Sequence, residues 1–146
     1  MQSAERIKQI EGTTNHDLKS VEYFIKENIS HYNEYVHFCC TSEDINNLSY
    51  SLMLRDSLKS VIIPRMTDVL QSLIGKSEKW ASHAMLAHTH GQSASPTTLG
   101  KEFANFSYRL ANSLSHLKKV KIFGKFNGAV GNYNAHYFAY PDLNWR

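Results

Sequence analysis

The feature that most constrains the fold is a long stripe of apolar residues that recurs at steps of three and four positions. Its members are Leu54, Leu58, Ile62, Met66, Val69 and Leu73. This spacing places them on one face of an α-helix, which we expect to begin at Thr41 or Ser42. An interior proline such as Pro64 costs a helix about 3 kcal/mol or kinks it. Because the stripe stays in phase across Pro64, we expect one bent helix, with two consecutive helices as the alternative.

Two further stripes predict two more helices. Their members are Leu18, Val21, Ile25 and Ile29, and then Leu99, Phe103, Phe106, Leu110, Leu114 and Leu117. Thr14 and Asp17 have capping-box spacing, so the earlier helix should begin near Asn15. Ser95 is expected to cap the later helix, with Pro96 in its first turn. The three stripes predict a mainly all-α chain, a long-helix bundle with loop or hairpin segments near 86–95 and 123–140.

Charge and cysteine content favour a reduced protein of the cytoplasm. A net charge of +3 on scattered basic residues is too weak to indicate a nucleic-acid partner. Cys39 and Cys40 are adjacent in sequence and rarely could meet disulfide geometry. With no secretory signal and no apolar run of about 18 residues, we expect neither export nor a membrane partner.

His90 is the strongest candidate for chemistry. Hydroxyl side chains surround it, Gly91 allows close approach to a ligand, and a helix beginning at Pro96 would aim its free amides back toward this loop. These features are compatible with a carboxylate pocket beside a side chain that can transfer a proton. A hydrogen-bonded loop with a structural histidine is the alternative, which the residue types alone favour. His88 and His90 are only two potential ligands, so no metal site is expected.

Other polar junctions contain His16, His37 and a helix start at Thr41 and Ser42. The helix start could bind an anion or could be only a well-formed N-cap. Thr41 and Asp44 have capping-box spacing, so the residue types alone favour the N-cap and leave anion binding open as the alternative.

Three stretches closely resemble conserved regions of the adenylosuccinate lyase family, within the fumarase/aspartase superfamily. They are TTNHDLKSVEYF at 13–24, HFCCTSEDINN at 37–47 and THGQSASPTTLGKEFAN at 89–105. A fourth, NGAVGNYNAH at 127–136, is similar to the bacterial branch of that family. The resemblance implies a β-elimination in purine biosynthesis that needs no metal or organic cofactor. It would release fumarate from adenylosuccinate, giving AMP, and from succinyl-aminoimidazole carboxamide ribotide.

The resemblance also implies a role for each matching residue. His90 would be the general acid, and Thr89 and Gln92 would belong to its pocket. The implied substrate-binding residues are Asn15, His16 and Asp17 for the nucleotide, Thr41 and Ser42 for a carboxylate, and His37 near the phosphate.

The serine loop of this family, with the pattern SSxMPxKxNP, has no match in the 146 residues. We therefore expect an internal fragment, inactive alone, in which 1–40 end an N-terminal helical domain and 41–146 begin the central bundle. The family forms homotetramers whose active sites are shared between subunits, and the same is expected here. An argininosuccinate lyase-like enzyme and a non-catalytic helical interaction module are the alternatives.

Overall fold

The computed structural model describes residues 2–145, which form two compact units. One unit combines the chain up to Ser51 with the segment from Phe123 onward, and the other is Leu52–Ile122. The helices are α1 (Gln2–Thr14), α2 (Asp17–Asn28), α3 (Ser42–Ser57), α4 (Ile63–Lys79), α5 (Leu99–Lys119) and α6 (Asn134–Ala139). The strands are β1 (Ala84–Thr89) and β2 (Gln92–Thr98). The mainly helical fold class is confirmed, and the proposed domain boundary at 40/41 stays a prediction.

The chain is helical without interruption from Ser42 to Lys79, so the prediction of one run across Pro64 is confirmed. A π-helical segment, Leu58–Ile62, connects α3 to α4 directly before this proline. A proline ring collides with the carbonyl group four residues earlier, and it offers no amide hydrogen. The wider π turn accommodates both defects, since it changes the hydrogen-bond step just where Pro64 would break it.

The β1–β2 hairpin joins α4 to α5, and these two helices pack against each other. The rings of Trp80 and Phe103 lie 5.4 Å apart between their centroids. Gly100 permits the close approach, because a Cβ there would lie only 2.4 Å from the Ser77 carbonyl oxygen. Leu114 is buried at 3% exposure further along α5. The hairpin near 86–95 was expected as a loop or hairpin, and this is confirmed.

The start of α5 corrects the sequence prediction. Ser95 and Pro96 lie within β2, where Pro96 pairs with Leu86, and the helix begins at Leu99 with Thr98 as its N-cap. Both strands of a two-stranded sheet are edge strands, and an edge strand tolerates proline. The segment 123–140 was expected to be loop or hairpin; its first part is irregular, and α6 occupies its second part.

Apolar side chains remain uncovered over much of the described chain. Among residues 2–145 the buried hydrophobic residues are Ile10 and Leu114 alone. Large residues of the predicted stripes are exposed, including Leu54 at 50%, Val69 at 55% and Phe106 at 58%. Parts of the apolar stripes therefore lack a covering partner within this part of the molecule. No helix in the described range is long and apolar enough to cross a membrane.

Candidate active site

His90 lies at the tip of the β1–β2 hairpin. Thr89 pairs with Gln92, so the connection consists of His90 and Gly91 alone. Their φ angles are +51° and +72°. Two consecutive positive φ values are typical of the type I′ turn, whose twist matches that of the flanking strands. The turn therefore brings together the three residues predicted to form the acid pocket, and all three side chains are exposed.

The amide groups at the start of α5 do not face His90, which corrects the predicted role of this helix. The amides of Leu99 and Gly100 donate to the carbonyl oxygens of His83 and Trp80, and the Lys101 amide donates to the Thr98 hydroxyl. Thr98 and Gln92 are at opposite ends of β2, about 20 Å apart at roughly 3.3 Å per residue. The helix terminus is thus satisfied within its own unit and provides no anion site at the hairpin tip.

The connection between α1 and α2 presents Asn15, His16 and Asp17, all exposed. His16 is the N-cap of α2, because its Nδ1 accepts a hydrogen bond from the Lys19 amide at 3.3 Å. The prediction that Thr14 caps this helix is wrong, since Thr14 ends α1. A left-handed residue, Asn15 at φ +50°, reverses the chain between the two helices. With Nδ1 turned to the helix backbone, Nε2 is the nitrogen that His16 offers to a ligand.

Thr41 and Ser42 lie at the start of α3, as predicted. The Thr41 amide donates to Asp44 Oδ2 at 3.0 Å, while the Asp44 amide donates to the Thr41 carbonyl oxygen at 3.0 Å. This reciprocal arrangement is the side-chain half of a capping box. Both hydroxyl residues are half-buried.

Asp44 has a second role that the sequence did not reveal, because it also binds a loop distant in sequence. Its side chain is completely buried and accepts hydrogen bonds from Lys125 Nζ at 2.6 Å and from the amides of Asn127 and Gly128 at 3.2 and 3.1 Å. Burial alone would raise the pKa of this carboxyl, but the hydrogen bonds from Lys125, Thr41 and the two distant amides outweigh it, so the pKa lies below its usual value. Asp44 therefore fixes 123–131 against the start of α3.

Asn47 and Ser51 continue the same face of α3, at steps of three and four residues. Asn47 exchanges two hydrogen bonds with the backbone of Lys125, at 2.7 and 2.9 Å, and the Ser51 hydroxyl donates to the Phe123 carbonyl oxygen at 2.7 Å. A loop that pairs its backbone groups with side chains satisfies polar groups that would otherwise be left unpaired. Three polar residues of α3 thus hold one loop in place.

An open cleft of about 430 Å³ lies beside Thr41. Cys39 and Cys40 line one side, and Gly128, Ala129 and Val130 of the fixed loop line another. Burial raises the pKa of the Cys40 thiol, which keeps it in the less reactive protonated form. The cleft joins Thr41, one of the two predicted carboxylate-binding residues, to the loop that Asp44 positions.

His37 lies in the connection between α2 and α3 at φ +63°. Its Nδ1 is 3.6 Å from Oε2 of Glu22, a buried carboxylate of α2. Its Nε2 is buried and has no hydrogen-bond partner among residues 2–145. The two ring nitrogens therefore have different surroundings.

The predicted site residues fall into two groups. Thr89, His90 and Gln92 belong to Leu52–Ile122, while the others belong to the unit that includes α1, α2 and the start of α3. Within the described range no group of three or more His, Cys, Asp or Glu side chains is arranged to hold a metal ion. The functional role of each residue stays a prediction.

A family model described as "Lyase" matches residues 1–144. The adenylosuccinate lyase of Haemophilus influenzae is 50% identical over 148 aligned residues, which cover 97% of this chain and 32% of that protein. The adenylosuccinate lyases of Vibrio cholerae and Escherichia coli K12 are 49% and 47% identical, over 96% and 99% of this chain. The chain therefore spans about a third of the length of the curated relatives it matches.

Solved structures match in fold. A fumarate lyase from Mesorhizobium sp. BNC1 superimposes with a TM-score of 0.82 at 21% identity, over 90% of this chain and 32% of that one. The β-carboxy-cis,cis-muconate cycloisomerase of Acinetobacter calcoaceticus gives a TM-score of 0.76 at 21% identity, with the same coverage. At such identities the likeness establishes a shared fold.

Proposed function

This chain belongs to the lyase family whose model spans residues 1–144, and from that premise we propose that it supplies part of an adenylosuccinate lyase. The reaction is the cleavage of adenylosuccinate to AMP and fumarate, with the analogous cleavage of succinyl-aminoimidazole carboxamide ribotide in purine biosynthesis. The observation that carries the proposal is 50% identity over 97% of the chain. The aligned span includes all four stretches that resemble the family.

The proposed chemistry is a β-elimination. A base removes a proton from the carbon beside a carboxylate, the carbon–nitrogen bond breaks, and an acid protonates the departing nitrogen. His90 is that acid. Its position in a two-residue turn supports the role, because the short turn restricts the backbone that carries the imidazole ring. A positioned acid of this kind contributes about 10²- to 10⁴-fold in rate.

Substrate binding is assigned to the other unit. Asn15, His16 and Asp17 contact the nucleotide, and His37 lies near its phosphate. Thr41 and Ser42 bind a carboxylate at the start of α3, where the helix dipole favours negative charge. The adjoining cleft of about 430 Å³ supports this assignment.

The uncovered apolar stripes support the proposed assembly. Exposed side chains such as Leu54 and Phe106 would be costly in water, at about 25 cal/mol for each Å² left unburied. A homotetramer with active sites shared between subunits would cover them. The proposal includes a cytoplasmic enzyme with small-molecule substrates and neither nucleic-acid nor membrane partners.

A substrate panel tests the proposal. The complete polypeptide that carries this segment is assayed for fumarate release from adenylosuccinate, argininosuccinate, malate and aspartate. Cleavage of adenylosuccinate with the highest kcat/KM is expected. Preference for argininosuccinate would indicate a different lyase of the superfamily, and release from none of the four would favour a non-catalytic helical module.

A further inference from the structure

Glu22 is an unusual residue because it is a carboxylate in the middle of a helix with only 5% of its surface exposed. Charged side chains are almost never buried to this extent unless they are paired. Glu22 is paired twice within α2, since Lys19 Nζ lies 2.8 Å from Oε2 and Lys26 Nζ lies 2.6 Å from Oε1. Burial raises its pKa, but the two lysines outweigh burial and hold the pKa below its usual value. Glu22 is therefore an anion.

A third polar neighbour of this anion comes from outside the helix. His37 Nδ1 lies 3.6 Å from Glu22 Oε2, and the His37 side chain is only 18% exposed. The same two residues line a small cavity of about 90 Å³ whose other walls are apolar: Leu18, Val21, Ile25, Val36 and Ile45. In apolar surroundings a carboxylate and a ring nitrogen attract each other more strongly than in water.

The backbone around His37 does not by itself determine the direction of the ring. His37 and Cys39 have φ values of +63° and +56°, in a connection with no regular element after the 3₁₀ turn Asn33–Tyr35. A non-glycine residue in the left-handed region is strained, so packing around the ring must compensate. The carboxylate of Glu22 is the charged part of that packing.

The other nitrogen of the ring is left for a ligand. His37 Nε2 is buried without a hydrogen-bond partner anywhere in residues 2–145. A buried nitrogen without a partner is destabilising, and a bound ligand can remove this cost. Only the doubly protonated ring donates from both nitrogens, so such a ring can connect a carboxylate at Nδ1 to an anion at Nε2.

We propose that Glu22 is a positioning residue of the active site, which holds the Nδ1 side of His37 so that Nε2 meets the substrate phosphate. The inference rests on the proposed function, because only that function places a phosphate near His37. Carboxylate–histidine pairs of this kind orient the ring and decide which nitrogen bears the available proton. Glu22 itself does not contact the substrate.

A double-mutant cycle in the complete polypeptide tests the proposal. Glu22→Gln is expected to raise KM for adenylosuccinate about tenfold, the equivalent of one charge-assisted hydrogen bond, with kcat within threefold of wild type. His37→Gln should raise KM similarly, and the double variant should equal His37→Gln alone, because Glu22 acts through His37. Additive effects, or an unchanged KM in Glu22→Gln, would overturn the proposal.

The control is Glu27→Gln, which removes another carboxylate of α2 that pairs with Arg6 and not with His37. It should leave KM unchanged. If Glu22→Gln does not fold, Glu22→Asp replaces it. Asp keeps the negative charge, which the flexible lysine side chains can follow, but its carboxylate is one methylene shorter and withdraws from His37. The same rise in KM is expected, and wild-type KM in Glu22→Asp would count against the proposal.

A second measurement separates this inference from the proposed function. The ¹⁵N chemical shifts of the His37 ring are compared in wild type, Glu22→Gln and Glu27→Gln. A shift at Nδ1 in the Glu22 variant alone supports the proposal, and unchanged shifts overturn it. If wild type does not cleave adenylosuccinate, the proposed function fails while this readout still decides the role of Glu22.

Discussion

Replacement of Asp44 by asparagine should release the loop 123–131 from α3. Asn has the shape of Asp, but one of its two terminal groups donates hydrogen bonds instead of accepting them. In the native structure Oδ1 accepts from Lys125 and Asn127, and Oδ2 accepts from Thr41 and Gly128. The amide nitrogen of Asn would avoid the lysine ammonium, so it would face the Thr41 and Gly128 amides.

Two of the four donors therefore lose their acceptor in this variant, and one of them, the Gly128 amide, belongs to the loop. A hydrogen bond to a charged group contributes about 1.5–3 kcal/mol, so the loop loses at least about 1.5 kcal/mol. At 1.4 kcal/mol for each factor of ten, the opening equilibrium of the loop should rise roughly tenfold or more.

Hydrogen exchange of the 123–131 segment, measured by mass spectrometry on the complete polypeptide, reports this opening directly. The Gly128 amide, which donates to Asp44, should exchange at least about tenfold faster in Asp44→Asn. The matched control is Asp56→Asn, an exposed carboxylate paired with Arg55, which should leave exchange in 123–131 unchanged. A change below threefold in Asp44→Asn would refute the reasoning.

The same carboxylate predicts an acid dependence with a definite sign. Because the folded pKa of Asp44 is lowered, its contribution to stability is complete above the unfolded value of about 3.9 and is lost as pH falls through the lower folded value. Protection of 123–131, corrected for intrinsic exchange, should be constant between about pH 5 and 8 in wild type. In the Asp44→Asn variant the protection of 123–131 should not fall further when the pH is lowered.

Three further predictions concern the second unit and the chain as a whole. His90→Asn should lower kcat for adenylosuccinate about 10²-fold or more while the circular dichroism spectrum stays unchanged, because Asn tolerates left-handed φ; a wild-type kcat would exclude His90 as the acid. Gly100→Ala should destabilise by about 1–3 kcal/mol in thermal unfolding because its Cβ meets the Ser77 carbonyl oxygen. Gly75→Ala, in open space on α4, should not destabilise, and equal midpoints would contradict this reading. The 146-residue polypeptide alone should release no fumarate, because it has no serine loop; turnover comparable to that of the complete polypeptide would contradict this.

Local patterns predicted well the features that depend on neighbours in sequence. The continuous helical run across Pro64 follows from an apolar stripe that keeps its phase, and the Thr41–Asp44 cap follows from a spacing of three. The predicted start of α5 was wrong because a Ser followed by Pro also suits an edge strand, and local chemistry does not distinguish a helix start from an edge strand. His16 as N-cap was missed because Thr14 offered the more familiar capping residue.

The features that local patterns could not predict are those that join distant residues. Asp44 was identified as a cap, but its partners Lys125 and Gly128 lie more than 80 positions away. Nothing in the periodicity of α3 indicates which loop its polar face will meet. The Glu22–His37 contact is similar, since Glu22 alone reads as a helix-surface residue until its burial is seen. A charged residue among apolar stripe positions was the one available signal.

The proposed function is the cleavage of adenylosuccinate with His90 as the acid. The direct measurement is the amount of AMP and fumarate formed from adenylosuccinate by the complete polypeptide, beside its His90→Asn variant. Equimolar products at a saturable rate, lowered at least about 10²-fold in the variant, are predicted. Absence of AMP, or equal rates for both proteins, would contradict the claim.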